Sequence, residues 1–292
     1  MTLPLFRTLP IIPPKNPRLP AAPVEYDRIY VDTLTSILRQ YFNTIDNFAQ
    51  PFTDNYGGAY LRFPNGAFHQ DGYTTLTAAI PNPISTAAIQ VASTNGFLSS
   101  GALLIGTELI KYTGKTATTF TGITRSAYGS SGSSHAIGDY VSEAQPVPSA
   151  TTSAALALTT TDASNQIAID TIDNTKVNFS VSGYYNIQFS AQMLSFDGTI
   201  DNVTFWFRQN GTDVANSAGI VSIPAIHGGV AGAAIVSWNI VLPINAGQYI
   251  QLLFASTTGN TVCSTYPPAT APTRPASPSI ILTATFVSAL YT

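Results

Sequence analysis

The chain has 292 residues, of which 9% are charged and 45% hydrophobic, with a formal net charge of −3. Charge content far below the roughly 25% of average globular proteins leaves the surface to Ser, Thr, Asn and Gln, while the apolar share argues against wholesale disorder. The mildly acidic balance supplies no basic field for phosphates, so nucleic acid is not an expected partner, and the lone Cys263 permits neither an intrachain disulfide nor a cysteine metal site.

Seven prolines fall within the first 23 residues: Pro4, Pro10, Pro13, Pro14, Pro17, Pro20 and Pro23. They remove backbone donors and favour extended, polyproline-like chain, so residues 1–24 are read as an arm. Leu5, Phe6, Ile11 and Ile12 lie between them, with Arg7, Lys15 and Arg18 as the only charges. A mere spacer has no use for Phe and Ile, and the arm is read as a peptide that anchors the chain in another protein's groove; the alternative is an untethered tail. Prolines interrupt the start before an apolar signal core could form. No run approaches the ~18 apolar residues of a membrane span, so neither export nor membrane insertion is expected.

Residues 25–50 change to helical spacing, with Tyr30, Leu34, Ile37, Leu38, Tyr41, Ile45 and Phe48 recurring at threes and fours. Glu25 and Asp27 suit the positive end of the helix dipole, and Pro51 closes the segment. An isolated amphipathic helix is marginal in water and requires a cover for its apolar face. Three such helices forming the neck of a trimer, or packing on the chain's own β domain, would provide it.

Residues 51–76 read as a connector with a β-hairpin, on the turn signals Gly57-Gly58 and Asn65-Gly66. Residues 77–144 carry short alternating strands separated by Gly and Ser, a small β module. Residues 145–153, Gln-Pro-Val-Pro-Ser-Ala-Thr-Thr-Ser, have a linker's composition. Residues 154–292 show evenly spaced strands, among them Tyr185 to Gln192, Val203 to Arg208, Ala234 to Leu242 and Ser279 to Val287, the pattern of an antiparallel jelly-roll sandwich. Asn210-Gly211 marks a hairpin. The fold class expected is therefore mainly β, with an extended arm and one helix.

Gly183-Tyr-Tyr-Asn-Ile-Gln-Phe-Ser resembles a strand of the trimeric jelly-roll superfamily of complement and tumour-necrosis-factor domains, and Asn245-Ala-Gly-Gln-Tyr-Ile-Gln-Leu resembles a second. Thr159, Asp170 and Val177 stand where that pattern has aromatics. Arg28 to Phe48, Leu61-Arg-Phe-Pro-Asn-Gly-Ala-Phe, and the run from Val91 to Ser126 resemble structural proteins of tailed phages, marine and cyanobacterial ones in particular. The resemblance implies a place on the exterior of a virion, assembly in the host cytoplasm, a homotrimer, and contacts with tail or capsid proteins and with a host surface glycan or protein. It implies no cofactor.

Enzymatic readings rest on Asp170 with Asp173 and Asp197 with Asp201, the paired carboxylates that polysaccharide cleavage needs. Their Asp, Asn and Gly surroundings favour turns instead, and no catalytic residue is assigned. His69, His135 and His227 lack metal-site spacing and read as surface or loop residues. Asp162, Asn165, Asp170 and Asp173 form a calcium candidate that matches no known loop spacing, so no metal is assigned. Phe205, Trp206 and Phe207 are consecutive, so in a strand at least one ring turns away from the core, to be buried by a neighbouring subunit or by a second layer. The stretches 224–232 and 257–278 read as surface loops, the second long enough to be functional. Within it Tyr266 and Arg274 are the candidate receptor-binding residues, the alternative being that the loop packs on a neighbour at the trimer seam. Three functions compete: a trimeric fibre or spike-like protein anchored by its arm, a capsid decoration protein bracing the shell, and a carbohydrate-binding module or polysaccharide hydrolase.

Overall fold

The computed structural model describes residues 17–19, 28–49, 63–81, 84–147 and 152–290, with the helix side chains described as far as residue 44. The chain divides into two units, one holding the helix and one running from Pro64 to Leu290, each described by itself.

The first unit contains the helix Arg28–Ala49. Tyr30, Leu34, Ile37, Leu38 and Tyr41 fall on one face and are only half-buried, while Ile29, Val31 and Phe42 beside them are exposed. Thr33, Thr35 and Thr44 donate their hydroxyls to the carbonyls one turn back, which satisfies these polar groups within the helix. The side chains of Ile45 and Phe48 lie outside the described residues, as do Glu25, Asp27 and Pro51.

The second unit is an antiparallel β structure built on two facing sheets. In the first, the strands run Thr160–Asn165, Asn65–Gln70, Ile280–Ser288, Gly183–Ser195, with Gly232–Ile244 on the far side of Gly183–Ser195. In the second they run Ile167–Ile169, Val177–Phe179, Tyr249–Ser256, Asp201–Gln209, Gly219–Ile223. With the inserted strand Asn65–Gln70 and the short Ile167–Ile169 set aside, these eight strands in chain order fall as 1-8-3-6 and 2-7-4-5, the order of a jelly roll. Alternate residues of each long strand turn inward: Tyr185, Ile187, Phe189, Ala191 and Met193 from one sheet meet Val203, Phe205, Phe207, Leu252 and Phe254 from the other. Phe189 lies 5.6 Å from Phe205 and edge-on to Trp238 at 4.6 Å, so an aromatic cluster fills the centre.

Two local signals act as their chemistry dictates. Asn210 and Gly211 both have positive φ, 51° and 85°, and join Asp201–Gln209 to Thr212–Asp213 in a tight hairpin. At Gly183 a Cβ would meet the Phe286 ring at 2.3 Å, so only glycine lets the last strand close over Tyr185, whose hydroxyl donates to Val181 O at 2.7 Å.

Other expectations are corrected. Asn65-Gly66 is no turn: both residues lie in a strand that pairs with Thr160–Asn165, its partners lying 91 to 100 positions downstream (His69 with Thr160, Asn65 with Asn165). The stretch 145–153, read as a linker, begins in strand, because Tyr140–Pro146 pairs with Gly101–Ile105 on one side and Thr261–Ser264 on the other, while residues 148–151 lie outside the described residues. Thr261–Ser264 in turn pairs with the end of Gly183–Ser195, so one sheet continues from the jelly roll into the module. The stretch 257–278 is likewise not structureless: it contains Thr261–Ser264 and the small hairpin Ala269–Thr270 with Thr273–Arg274. Cys263 sits in the first of these strands, fully buried, where desolvation pushes its thiol up to about 12.

The module's core, Leu76, Ile89, Val91, Leu103, Ile105, Ile110, Tyr112 and Phe120 among others, is separate from the jelly-roll core. It also buries ions. Glu108 accepts Arg125 Nε and Nη2, each at 2.6 Å, His135 Nε2 at 2.8 Å and the Ser133 N–H at 3.0 Å. Burial opposes ionisation there, yet these donors outweigh it and hold the carboxyl at about 2. His135, read above as a surface or loop residue, is therefore a buried clasp.

Candidate functional site

Where the jelly roll passes into the module, a third, small core of Ala102, Leu109, Ala144, Leu194 and Val262 lies under the shared sheet. Leu104, Phe196, Ala231 and Tyr266 pack at its rim, and above them opens a groove of about 750 Å³. Its floor includes Leu104 and Ser142, directly opposite one another in the ladder. One boundary is the turn from His227 to Val230, where Gly228 and Gly229 both take positive φ; others are Tyr140 and the Tyr266-Pro267 segment.

The two loop stretches chosen from sequence thus meet at one place, since 224–232 and 257–278 both line this groove. Arg274 is brought to Tyr266: its guanidinium carbon stands 5.5 Å from the ring centroid, and Nη1 donates to Pro267 O at 2.9 Å and Pro275 O at 3.3 Å. Arg274 does not line the groove but belongs to a smaller hollow with Gln192, Tyr266 and Ser277. Tyr266 borders both, and burial raises its phenol above the usual range. Tyr140, Phe196 and Asp139 complete the groove and were not singled out in the sequence; an isolated Asp-Tyr at a strand start carries no mark of a site.

Of the anchoring residues, Leu5, Phe6, Arg7, Ile11, Ile12 and Lys15 lie outside the described residues, and Arg18 is exposed. The carboxylate pairs are engaged locally. Asp170 accepts the N–H groups of Ile172 and Asp173, both at 2.9 Å, and the Asn178 amide at 2.8 Å. These bonds lower it to about 2. Asp173 is held by Thr175 and Lys176. Asp201 is fully buried among the hydroxyls of Ser256, Thr257 and Thr261, which overcome desolvation and keep it below its ordinary range. Asp162, from the calcium candidate, accepts instead from His69 Nδ1 at 2.8 Å, and His69 Nε2 lies 3.2 Å from Asp71. Among the described residues no group of three or more His, Cys, Asp and Glu is placed to hold a metal, and no helix is long and apolar enough to cross a membrane. Trp206 does turn away from the core, but its own hairpin covers it: Nε1 donates to Asp213 at 2.9 Å, beside Arg208 at 2.7 Å.

A second surface of note is the outward face of the first sheet. The three strands Gly183–Ser195, Gly232–Ile244 and Ile280–Ser288 contain no charged residue. Their outward positions hold Asn186, Gln188, Ser190, Asn239, Thr283 and Thr285 together with Ile235 (65% exposed), Val241 (51%), Ile281 (40%) and Val287 (56%). A face of that size without a single ion is unusual for water-exposed sheet, even beside the scattered hydrophobics of ordinary surfaces.

No family model matches the chain, and no curated protein matches it.

Proposed function

We propose that the chain is a non-enzymatic structural protein of a tailed-phage particle, a homotrimer of fibre or spike type that joins through the uncharged outward face of its jelly roll. The observation that carries this reading is that face: three long adjacent strands with no Asp, Glu, Lys, Arg or His and four exposed aliphatic side chains. Charged residues are depleted at the cores of protein interfaces, and closed homo-oligomers bury the same patch on each copy. The half-buried stripe of the helix, Tyr30, Leu34, Ile37, Leu38 and Tyr41, supports a three-helix neck in the same assembly. The proline-rich arm anchors the trimer to a tail or head protein, and the β unit projects toward the host. Consistent with a structural role, the carboxylate pairs weighed as catalysts spend their oxygens on turns and buried hydroxyls.

Light scattering on the purified chain tests the assembly. Three chains per particle are expected at micromolar concentration. Val241→Lys, placed at an exposed position of the face, should give monomers with unchanged circular dichroism. A monomeric wild type, or trimers indifferent to Val241→Lys, would overturn the proposed seam.

A further inference from the structure

We infer that the groove between jelly roll and β module binds an uncharged oligosaccharide. This rests on the proposed exterior position of the chain for the source of the glycan, but not for the binding itself. Its volume of about 750 Å³ falls within the range of small-ligand sites. On an aliphatic background of Leu104, Leu194, Val230, Ala231 and Ala233, its lining sets two further kinds of group. Tyr140, Phe196 and Tyr266 bring aromatic rings, and Thr107, Ser142 and Asp139 bring hydroxyls and a carboxylate.

Sugar rings present the matching pair of surfaces, a C–H face that stacks on an aromatic ring and a rim of hydroxyls that needs fixed acceptors and donors. Asp139 is such an acceptor, because the Ala136 N–H holds one of its oxygens at 2.8 Å. Charge decides among ligand classes. Among the described residues Asp139 is the one ionic side chain of the lining and no cation joins it there, so a sialylated or phosphorylated ligand would find no counter-charge among them. A wholly apolar ligand would strip water from Asp139, Thr107 and Ser142 without replacing its hydrogen bonds.

The site is also stiff where it matters. Arg274, itself tied to the carbonyls of Pro267 and Pro275, stacks on Tyr266 from the neighbouring hollow, so the ring loses little freedom when a sugar settles on it. Where the turn at Gly228-Gly229 lines the groove it presents Gly229, Val230 and Ala231, an edge of backbone and small apolar side chains.

The test uses the full chain on a printed array of neutral hexose and N-acetylhexosamine oligosaccharides beside sialylated and sulfated ones, followed by calorimetry with the strongest neutral binder. Neutral glycans are expected to bind. Tyr140→Ala and Tyr266→Ala should each weaken binding about tenfold, the loss of one stacking contact, with circular dichroism unchanged. Asp139→Asn should weaken it without affecting trimer mass. Three results would overturn the inference: no neutral glycan bound at millimolar concentration, capture of anionic glycans only, or neutral binding indifferent to all three substitutions. Failure of the virion reading is separately visible, as glycan binding by a chain that is absent from phage particles.

Discussion

Glu143→Gln isolates the energetic conflict at the centre of the module. Glu143 sits in Tyr140–Pro146, the strand shared by module and jelly roll, and is fully buried. One carboxyl oxygen accepts the Tyr112 hydroxyl at 2.7 Å and the Leu98 N–H at 3.3 Å; the other, Oε1, has no hydrogen-bond partner among the described residues and faces Gly101, where a Cβ would stand 2.7 Å away. Burial raises the carboxyl from 4.5 to about 8, against the bonds from Tyr112 and Leu98 and the charge of Lys115. The folded form therefore keeps a proton that the unfolded chain releases. Stability from this group is complete below about pH 4.5 and falls as pH rises, by ~3 kcal/mol at pH 7 and ~4 kcal/mol at pH 8, where the folded carboxyl is itself half ionised. The Gln amide has no ionisation to suppress, although its NH2 group at the Oε1 position lacks an acceptor, a cost of ~1–3 kcal/mol. Urea denaturation should show the variant ~1–2 kcal/mol more stable than wild type at pH 7, more so at pH 8.5, and less stable than wild type at pH 4. A stability difference constant from pH 4 to 8.5 would refute the reasoning.

The opposite sign is expected at Glu108, which its partners hold at about 2. Its contribution is present above pH 4.5 and lost as pH falls toward 2, and Glu108→Ala, which strands buried Arg125 and His135, should cost ~3–5 kcal/mol by thermal denaturation at pH 7. Gly183→Ala should cost ~1–3 kcal/mol through the Phe286 ring, and Gly183→Ala with Phe286→Leu should recover part of it in a double-mutant cycle. Deleting residues 1–24 should leave a trimer by light scattering that is missing from purified virions; normal incorporation would remove the anchor.

The jelly roll was legible because its long strands alternate strictly. Gly183–Ser195 and Asp201–Gln209 bury every second residue, and that period is written in the sequence as Tyr185, Ile187, Phe189 and Val203, Phe205, Phe207. Thr160–Asn165 escaped notice because its residues, Thr-Thr-Asp-Ala-Ser-Asn, lie at the sheet's edge with most positions in water, so no apolar face was needed. Asn65–Gln70 and Thr261–Ser264 join across intended boundaries, and pairing between segments far apart in the chain leaves no local trace. The site was half legible. Tyr266 and Arg274 stood out as ring and guanidinium in a long loop, but Tyr140 and Asp139 reach the same groove only through the sheet that links module to jelly roll. The buried acids gave no signal, since Glu108 and Glu143 look like ordinary exposed strand residues until Arg125, His135 and Tyr112 are brought to them by folding.

The central claim, that this chain is an outward-facing trimer of a phage particle, is tested most directly by imaging virions in which its C-terminus carries a bulky tag. The account predicts extra density on the particle's exterior in threefold clusters. Tagged chain found only free in the lysate, or single copies inside the shell, would contradict it.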